Sequence, residues 1–190
     1  DLDRLGRHQP WDGVRAVVAW FGPCGYAAAD NLLFLGAGVV ALDEVTDESR
    51  QEQAQLLETL GAQVRLEPGA TAALPDDVDL VVVPPELDAA SPLLEQAVAR
   101  GLRVWSDVEL AWRLRDPGHD TPWLAVTGAA GTSETAQMLG AILVAAGLRG
   151  EVAGVVGRPI VEVVMDPDPY DVVAVGLTSL QLRHTSSMAA

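Results

Sequence analysis

Short apolar runs alternate with amphipathic stretches along the first 115 residues, and this alternation predicts strands and helices in turn. Runs rich in valine, leucine and alanine are typical of strands that are buried on both faces of a parallel sheet. Five strands are expected, at residues 14–21, 38–42, 63–66, 79–83 and 103–105. Helices are expected between most of them, at 26–35, 49–60, 91–101 and 106–114. This repeated alternation predicts a doubly wound, Rossmann-like α/β domain with a parallel sheet.

Residues at the expected helix starts support these boundaries. Ser91 followed by Pro92 is typical of an N-cap and a first helical position. Ser106 and Glu109 have the spacing of a capping box, in which the two side chains satisfy backbone N–H groups at the start of a helix. Glu109 and its neighbour Asp107 could also serve a metal ion, but helix capping is the simpler explanation of both carboxylates.

A second unit is expected after a polar linker at residues 116–120. Strands are predicted at 124–126, 152–156 and 170–175, and a helix is predicted from about 132 to 148. The last fifteen residues show no complete element. The unit should therefore hold about three strands and two helices, which is few for a sheet that must be covered on both faces.

A glycine loop in the second unit has the layout of a phosphate-binding loop. The strand at 124–126 leads into Gly128-Ala129-Ala130-Gly131, and the predicted helix begins directly after it. Backbone N–H groups and the helix N-terminus hold an anion in such loops. The usual lysine is replaced by Thr132, which Ser133 follows. We therefore interpret Gly128, Gly131, Thr132 and Ser133 as a degenerate nucleotide-binding site.

A second glycine turn follows the first predicted strand. Residues 20–25 read Trp-Phe-Gly-Pro-Cys-Gly, which is the spacing of G-x-G-x-x-G with tryptophan in place of the first glycine. Intact motifs of this kind approach a diphosphate closely, and an acidic residue after the next strand binds a ribose. Gly22, Cys24 and Gly25 are candidates for the turn and Asp43 for the acid. A structural turn without a ligand is an equally good interpretation, because spacing alone is a weak signal.

Charge and composition exclude several classes of function. The chain has 190 residues, 49% of them hydrophobic, and a formal net charge of −15. Such a charge argues against binding to nucleic acid or to an anionic membrane. No apolar run approaches the roughly 20 residues that span a bilayer, so we expect no membrane insertion and a cytoplasmic protein. All twelve basic residues counted as Lys or Arg are arginine, which excludes lysine-dependent chemistry.

Four segments, taken in order, resemble the Mur ligase family, and within it the members that add D-glutamate. They are SDVELAWRL at 106–114, PWLAVTGAAGTSETAQMLGAILVAAGL at 122–148, GVVGRPIVEVV at 154–164 and YDVVAVGLTSLQL at 170–182. In that family an N-terminal domain holds the uridine diphosphate of the substrate, a central domain binds ATP and Mg²⁺, and a C-terminal domain brings in the amino acid. The enzyme phosphorylates the substrate carboxylate, and the incoming amine attacks the acyl phosphate.

The resemblance implies a domain plan and a set of ligands. Residues 1–118 would form a UDP-muramoyl-binding-like domain, and 119–190 would form part of the central domain, without the C-terminal ligase domain. UDP-N-acetylmuramoyl-L-alanine or a related UDP-sugar would be the partner. Gly22, Cys24, Gly25 and Asp43 would lie at the UDP-like site. Ser179 and Gln181 match the family's motif and would lie near substrate.

The departures from the family pattern fall on its chemistry. The ATP-loop lysine corresponds to Thr132, the magnesium-binding glutamate to Gly176 and a substrate-contacting asparagine to Val155. We therefore expect no catalytic residue and no metal ligand, and neither ATP nor Mg²⁺ as a cofactor. Loss of one charge-stabilising group typically costs about 10²–10³ in rate.

Three hypotheses follow for the function. The first is a catalytically inactive scaffold of the ligase fold. The second is a ligase that works only as part of a longer or complemented chain. The third is a non-catalytic module that forms a homodimer, because a half-built second sheet would leave an unpaired strand edge.

Overall fold

A computed structural model describes residues 2–88 and 90–189, and its first unit alternates strands with helices. The elements are β1 (Arg15–Ala19), α1 (Pro23–Phe34), β2 (Gly38–Asp43), α2 (Glu48–Thr59), β3 (Gln63–Leu66), β4 (Leu80–Val83), α3 (Pro92–Ala99), β5 (Arg103–Ser106) and α4 (Asp107–Leu114). All five predicted strands are present.

The five strands form one parallel sheet in the order β3-β2-β1-β4-β5. The order reverses between β1 and β4, because the chain proceeds outward from β1 in both directions. Successive residues of β1 enter different hydrophobic clusters on the two faces of the sheet, Ala16 and Val18 on one and Val17 and Ala19 on the other. The sheet is therefore covered on both faces, as its continuous apolar strands predict. In such a sheet the carboxyl ends of β1 and β4 flank the crevice where ligands usually bind.

The second unit contains β6 (Trp123–Thr127), α5 (Thr132–Ala145), β7 (Gly150–Gly154), α6 (Ile160–Met165), β8 (Val172–Leu177) and α7 (Ser179–Arg183). Its three strands are parallel and lie in the order β6-β8-β7. The mixed α/β architecture with parallel sheets confirms the predicted fold class.

Two short helices correct the predicted content of the second unit. The last fifteen residues were expected to lack a complete element, yet α7 forms there, with Thr178 and Gln181 closing a capping box. The unit was expected to hold about two helices, and it holds three: α5, α6 and α7. The sequence of α6, IVEVVM, is rich in β-branched residues that favour strands. Packing against α1 and α4 stabilises it as a helix instead, and tertiary contacts of this kind override local propensity.

The two units share one hydrophobic core. Ile160 and Val161 of α6 are buried in the same cluster as Leu32 of α1 and Leu110 of α4. The chain therefore buries apolar surface across the junction between its two sheets.

Polar contacts at the start of α4 add to this junction. The Ser106 hydroxyl accepts the Glu109 N–H at 3.0 Å, so the predicted N-cap is present. The Glu109 carboxylate instead accepts the N–H groups of Ser186 at 2.7 Å and Ser187 at 2.9 Å. Burial raises the pKa of Glu109, but these N–H groups and Arg113 outweigh it and lower the pKa overall. Glu109 therefore binds the C-terminal segment at Ser186 and Ser187 instead of capping the helix.

None of the helices in the described part of the chain is both long enough and apolar enough to cross a membrane.

Candidate functional site

The first glycine turn is shaped by a close backbone approach. Trp20 has a φ of +71°, and no other described residue apart from glycine has a positive φ. Its carbonyl oxygen would lie 2.0 Å from a Cβ placed on Gly25. A real side chain therefore cannot fit at Gly25. The predicted tight turn is formed, with tryptophan in a conformation that usually favours glycine.

Two charged side chains lie directly over this turn. A Cβ on Gly22 would be 3.2 Å from Glu86 Oε1 and 3.3 Å from Arg50 Nη2. Glu86 follows β4 and Arg50 lies in α2, so both reach the turn across the carboxyl end of the sheet. Sequence reasoning did not single out either residue, because neither belongs to a recognisable motif. The space above Gly22, where a diphosphate was expected, is thus bordered by a carboxylate and a guanidinium of the chain itself.

Asp43, the candidate ribose-binding acid, is fully engaged inside the protein. Its side chain is 0% exposed, and Oδ1 accepts the N–H groups of Glu44 at 2.7 Å and Val45 at 2.9 Å. Its Oδ2 lies 2.9 Å from Arg50 Nε, an ion pair that is close but not aligned as a hydrogen bond. Asp43 therefore holds Arg50 and the turn after β2.

A third carboxylate, Asp107, lies at the same crevice and is 1% exposed. Its Oδ1 accepts the Gln181 side-chain N–H at 2.9 Å, and its Oδ2 has no hydrogen-bond partner among the described residues. Desolvation by burial raises the pKa of Asp107 to about 7; the Gln181 hydrogen bond opposes the shift and the charge of Glu86 adds to it. Desolvation also raises the pKa of Glu86, although Arg50 opposes this. Burial thus raises the pKa of two carboxylates at this crevice, Asp107 and Glu86.

Cys24 is a core residue at the junction of the two units. It is 7% exposed, and its Sγ lies 3.8 Å from the Gly154 carbonyl oxygen. Burial, followed by the charges of Asp107 and Glu86, raises the pKa of its thiol. The thiol therefore stays protonated at neutral pH, unlike a reactive cysteine, whose pKa is lowered.

The second glycine loop begins a helix, as its sequence predicts. Gly131 has a φ of +75° and lies at the N-cap of α5, without a side-chain cap. The Thr132 hydroxyl lies 3.5 Å from the Gly128 carbonyl oxygen, which is a long contact. Residues 128–131 are exposed and Ser133 is partly exposed. The loop thus retains its backbone shape, while its lysine position carries a short side chain directed back to the loop.

Three of the residues that depart from the family pattern meet at one point beside this loop. A Cβ placed on Gly176 would lie 2.9 Å from Val155 Cγ2 and 3.6 Å from Thr132 Cγ2. Val155 is held there because its N–H donates to the Gly176 carbonyl oxygen at 3.0 Å. In the sequence these three positions are more than 20 residues apart. In the structure a methyl group of Thr132 and one of Val155 both lie beside Gly176, and we call this arrangement the apolar contact of Thr132, Val155 and Gly176.

The residues at this position differ from the ligand set that the family resemblance implies for Mg²⁺. The hydroxyl groups of Thr132 and Ser133 remain at the loop, but Gly176 supplies no carboxylate, and methyl groups lie next to its Cβ position. In the described part of the chain, no group of three or more His, Cys, Asp or Glu residues could hold a metal ion.

Ser179 and Gln181 are not brought to a common site. Ser179 is exposed at the start of α7, whereas Gln181 is 0% exposed. The Gln181 Oε1 accepts the Thr178 N–H at 2.8 Å, and its Nε2 donates to Asp107. Both polar ends of Gln181 are therefore used inside the protein, one for the helix cap and one for the junction between the units.

Comparisons with known proteins give a consistent set of relatives. The chain is 46% identical over 180 residues to a UDP-N-acetylmuramoylalanine--D-glutamate ligase of Streptomyces avermitilis, covering 95% of this chain and 38% of the relative. It is 43% identical over 179 residues to the ligase of the same name from Frankia casuarinae, covering 94% of this chain and 37% of that one. The chain thus spans less than two fifths of the length of these relatives. No protein-family model matches it.

One similar solved structure is a UDP-N-acetylmuramate:L-alanyl-gamma-D-glutamyl-meso-diaminopimelate ligase from Neisseria meningitides. The matched region covers 85% of this chain and 52% of the chain of that ligase. The TM-score is 0.47 and the identity 19%, so this overlap carries no argument about function. The sequence relatives carry the assignment, because their identity extends over nearly the whole chain. The chain belongs to the Mur ligase family, as a homologue of the UDP-N-acetylmuramoylalanine--D-glutamate ligases.

Proposed function

We propose that this chain is a non-catalytic member of the family, which keeps the ligase fold without ATP-dependent addition of D-glutamate to UDP-N-acetylmuramoylalanine. The observation that carries the proposal is the apolar contact of Thr132, Val155 and Gly176. Lysine, asparagine and glutamate are expected at these positions from the resemblance to the family. All three functional groups are missing from one place, and apolar atoms pack there instead.

The chemistry explains why this loss is decisive. Phosphoryl transfer depends on positioning and on cations that offset the charge developing in the transition state. Removal of one such group costs about 10²–10³ in rate, so the loss of two independent groups would cost about 10⁴–10⁶. The chain contains no lysine, so no other lysine of this sequence can replace the missing one.

The remaining features of the loop do not restore anion binding. The N-terminus of α5 supplies backbone N–H groups and about half a positive charge. Glu134 lies in the first turn of α5, where its carboxylate interacts favourably with the same dipole and repels a phosphate. The loop is better explained as the start of a helix than as an ATP site.

Weak binding of a UDP-sugar by the first unit is the second part of the proposal. The turn at Gly22 and Gly25 keeps its close approach, and the Arg50 guanidinium lies beside it. The Glu86 carboxylate opposes an anionic diphosphate at the same turn. We therefore expect low affinity for UDP-N-acetylmuramoyl-L-alanine, and a cytoplasmic protein that acts through binding.

Calorimetry and a ligation assay test the proposal on the purified chain. UDP-N-acetylmuramoyl-L-alanine, D-glutamate and Mg²⁺-ATP are supplied together, and ADP and the ligated product are measured. The Streptomyces avermitilis ligase serves as the positive control. We expect no product above background and no heat on titration with millimolar Mg²⁺-ATP. Product formation at even a thousandth of the control rate would refute the proposal.

Two alternatives give different results in the same experiment. A chain that works only when complemented would form product after addition of a native extract fraction that is inactive alone. A dimerising module would show twice the chain mass by light scattering, irrespective of ligand. Either result would replace the binding role proposed here.

A further inference from the structure

A cavity of about 320 Å³ lies at the opposite end of the second sheet from the glycine loop. It is bordered by Trp123, the first residue of β6, whereas the glycine loop follows the last residue of that strand, Thr127. Four intervening steps along a strand correspond to roughly 13 Å. The cavity is therefore separate from the apolar contact described above.

The floor of the cavity is apolar and firmly packed. Trp123, Val163, Tyr170 and Val173 line it, and each is at most 8% exposed. The Trp123 ring also makes an edge contact with Trp112, at 5.0 Å between ring centroids. A preformed apolar wall of this kind, in a cavity near the lower end of the usual 300–1,000 Å³ range, suits a ligand body of about one or two rings.

The rim of the cavity concentrates positive charge. The chain carries twelve arginines, three histidines and a net charge of −15. Two of the arginines and two of the histidines line this one cavity: Arg7, His8, Arg115 and His119. Asp116 and Asp166 line the same cavity, so whether the arginines can bind an anion depends on what these two carboxylates already contact.

The two arginines keep donors available. Arg7 Nη1 lies 3.8 Å from Asp116 Oδ2, beyond hydrogen-bond distance, and no described residue accepts a hydrogen bond from Arg7. The Arg115 guanidinium stacks 3.2 Å from the Trp112 ring centroid, and its Nη1 is 3.7 Å from Asp120. Stacking fixes the plane of the Arg115 fork without using its terminal N–H groups, which preorganises it for an oxyanion.

Neither acidic residue of the cavity accepts a hydrogen bond from Arg7 or Arg115 among the described residues. Asp166 accepts hydrogen bonds from Arg158 at 3.1 Å and from the Tyr170 hydroxyl at 3.1 Å. The N–H of Asp168, followed by Arg158, lowers the pKa of Asp166. Its charge is thus already matched within the protein. Asp116 is the other acid, and its contacts to Arg7 and His8 are long, at 3.8 and 4.0 Å.

We propose that this cavity is a binding site for a small organic anion. Arg7 and Arg115 hold its carboxylate or phosphate oxygens, and its one- or two-ring body lies on the floor formed around Trp123 and Tyr170. The site does not depend on the proposed loss of ligase activity, because it uses none of the same residues.

Ligand-detected and protein-detected NMR can test the site on the whole chain. Indole-3-acetate is the probe, and the indole N–H signal of Trp123, assigned with Trp123→Phe, is the readout. Indole-3-acetamide removes the charge, inorganic phosphate removes the ring, and phenyl phosphate exchanges the anionic group. We expect saturable shifts with both aryl anions, at least about tenfold weaker binding of the amide, and no saturation with phosphate alone.

Variants separate the rim from the rest of the surface. Arg7→Gln should weaken indole-3-acetate binding by about tenfold, the order of one charge-assisted hydrogen bond. Arg65→Gln, an equal charge change at an exposed position of β3, should leave binding unchanged. Thermal unfolding of each variant establishes that it is folded. Equal binding of the acetate and the amide, or equal loss in both variants, would overturn the proposal, as would the absence of shifts at Trp123.

Discussion

Two glycine turns in this protein begin a helix after a parallel strand, and each is filled by the chain in a different way. Above Gly22 the space is bordered by the long side chains of Glu86 and Arg50. Beside the loop at Gly131 the space is occupied by the methyl groups of Thr132 and Val155 and by the backbone at Gly176. The first turn is closed by charges at the ends of flexible side chains, and the second by short groups close to the backbone.

This difference determines how readily each turn could accept a ligand. Long charged side chains change rotamer at a cost of about 1 kcal/mol or less, so a diphosphate could displace Glu86. The branched side chains of Thr132 and Val155 have few χ1 rotamers, so their methyl groups have few alternative positions. We therefore expect the first turn to accept a ligand more readily than the second. Four predictions test this contrast.

The largest effect is expected from Gly25→Ala, compared with Gly22→Ala in the same turn. A Cβ at Gly25 would lie 2.0 Å from the Trp20 carbonyl oxygen, whereas the atoms nearest to one at Gly22 are side-chain atoms of Glu86 and Arg50, at 3.2 and 3.3 Å. We expect Gly25→Ala to lower the free energy of unfolding by about 3 kcal/mol or more and Gly22→Ala by less than about 1. Urea unfolding measures both, and similar losses would contradict the contrast.

The next effect is a dependence of stability on pH through Asp107. Its pKa is raised to about 7 by burial, above the value of about 3.9 expected in the unfolded chain. The stability that this group contributes is therefore complete below pH 4 and is lost as pH rises through 7. We expect a loss of about 2 kcal/mol between pH 5.5 and 8. Asp107→Asn, which can still accept from Gln181, should lack this loss; parallel pH curves of the two proteins would disprove it.

A double-mutant cycle examines the apolar contact. Gly176→Ala places a Cβ 2.9 Å from Val155 Cγ2, so we expect a loss of about 1–2 kcal/mol in the free energy of unfolding. Val155→Ala should relieve this clash. The double variant should then be more stable than the sum of the two single losses by at least about 0.5 kcal/mol. Additive losses measured by urea unfolding would show that the contact is not tightly packed.

The smallest effect is expected at Glu86. Glu86→Gln removes one negative charge beside the Gly22 turn while keeping the side-chain length, and it should tighten binding of UDP by about threefold to fivefold, or roughly 1 kcal/mol. Calorimetry at low ionic strength measures this gain, which should shrink with added salt. Glu58→Gln, at an exposed position of α2, is the matched control. An equal change in both variants would mean that only net charge matters.

The sequence by itself determined the architecture and the positions of the two glycine turns. A continuous apolar run such as Leu80–Val83 is typical of a strand buried on both faces, as in a parallel sheet with helices on each side. Glycines at tight turns and the absence of lysine from the chain are visible without coordinates, because each is a property of single residues. The order of the segments was sufficient to indicate the family that the relatives then confirmed.

The tertiary structure alone decided what surrounds each motif. Thr132, Val155 and Gly176 are far apart in the chain, and the pairing of both β6 and β7 with β8 brings them together. The same is true of Glu86 over Gly22 and of the bond from Gln181 to Asp107. Helix α6 formed against local propensity because α1 and α4 cover it. Local patterns specify elements, whereas the occupant of a site depends on long-range packing that no local pattern encodes.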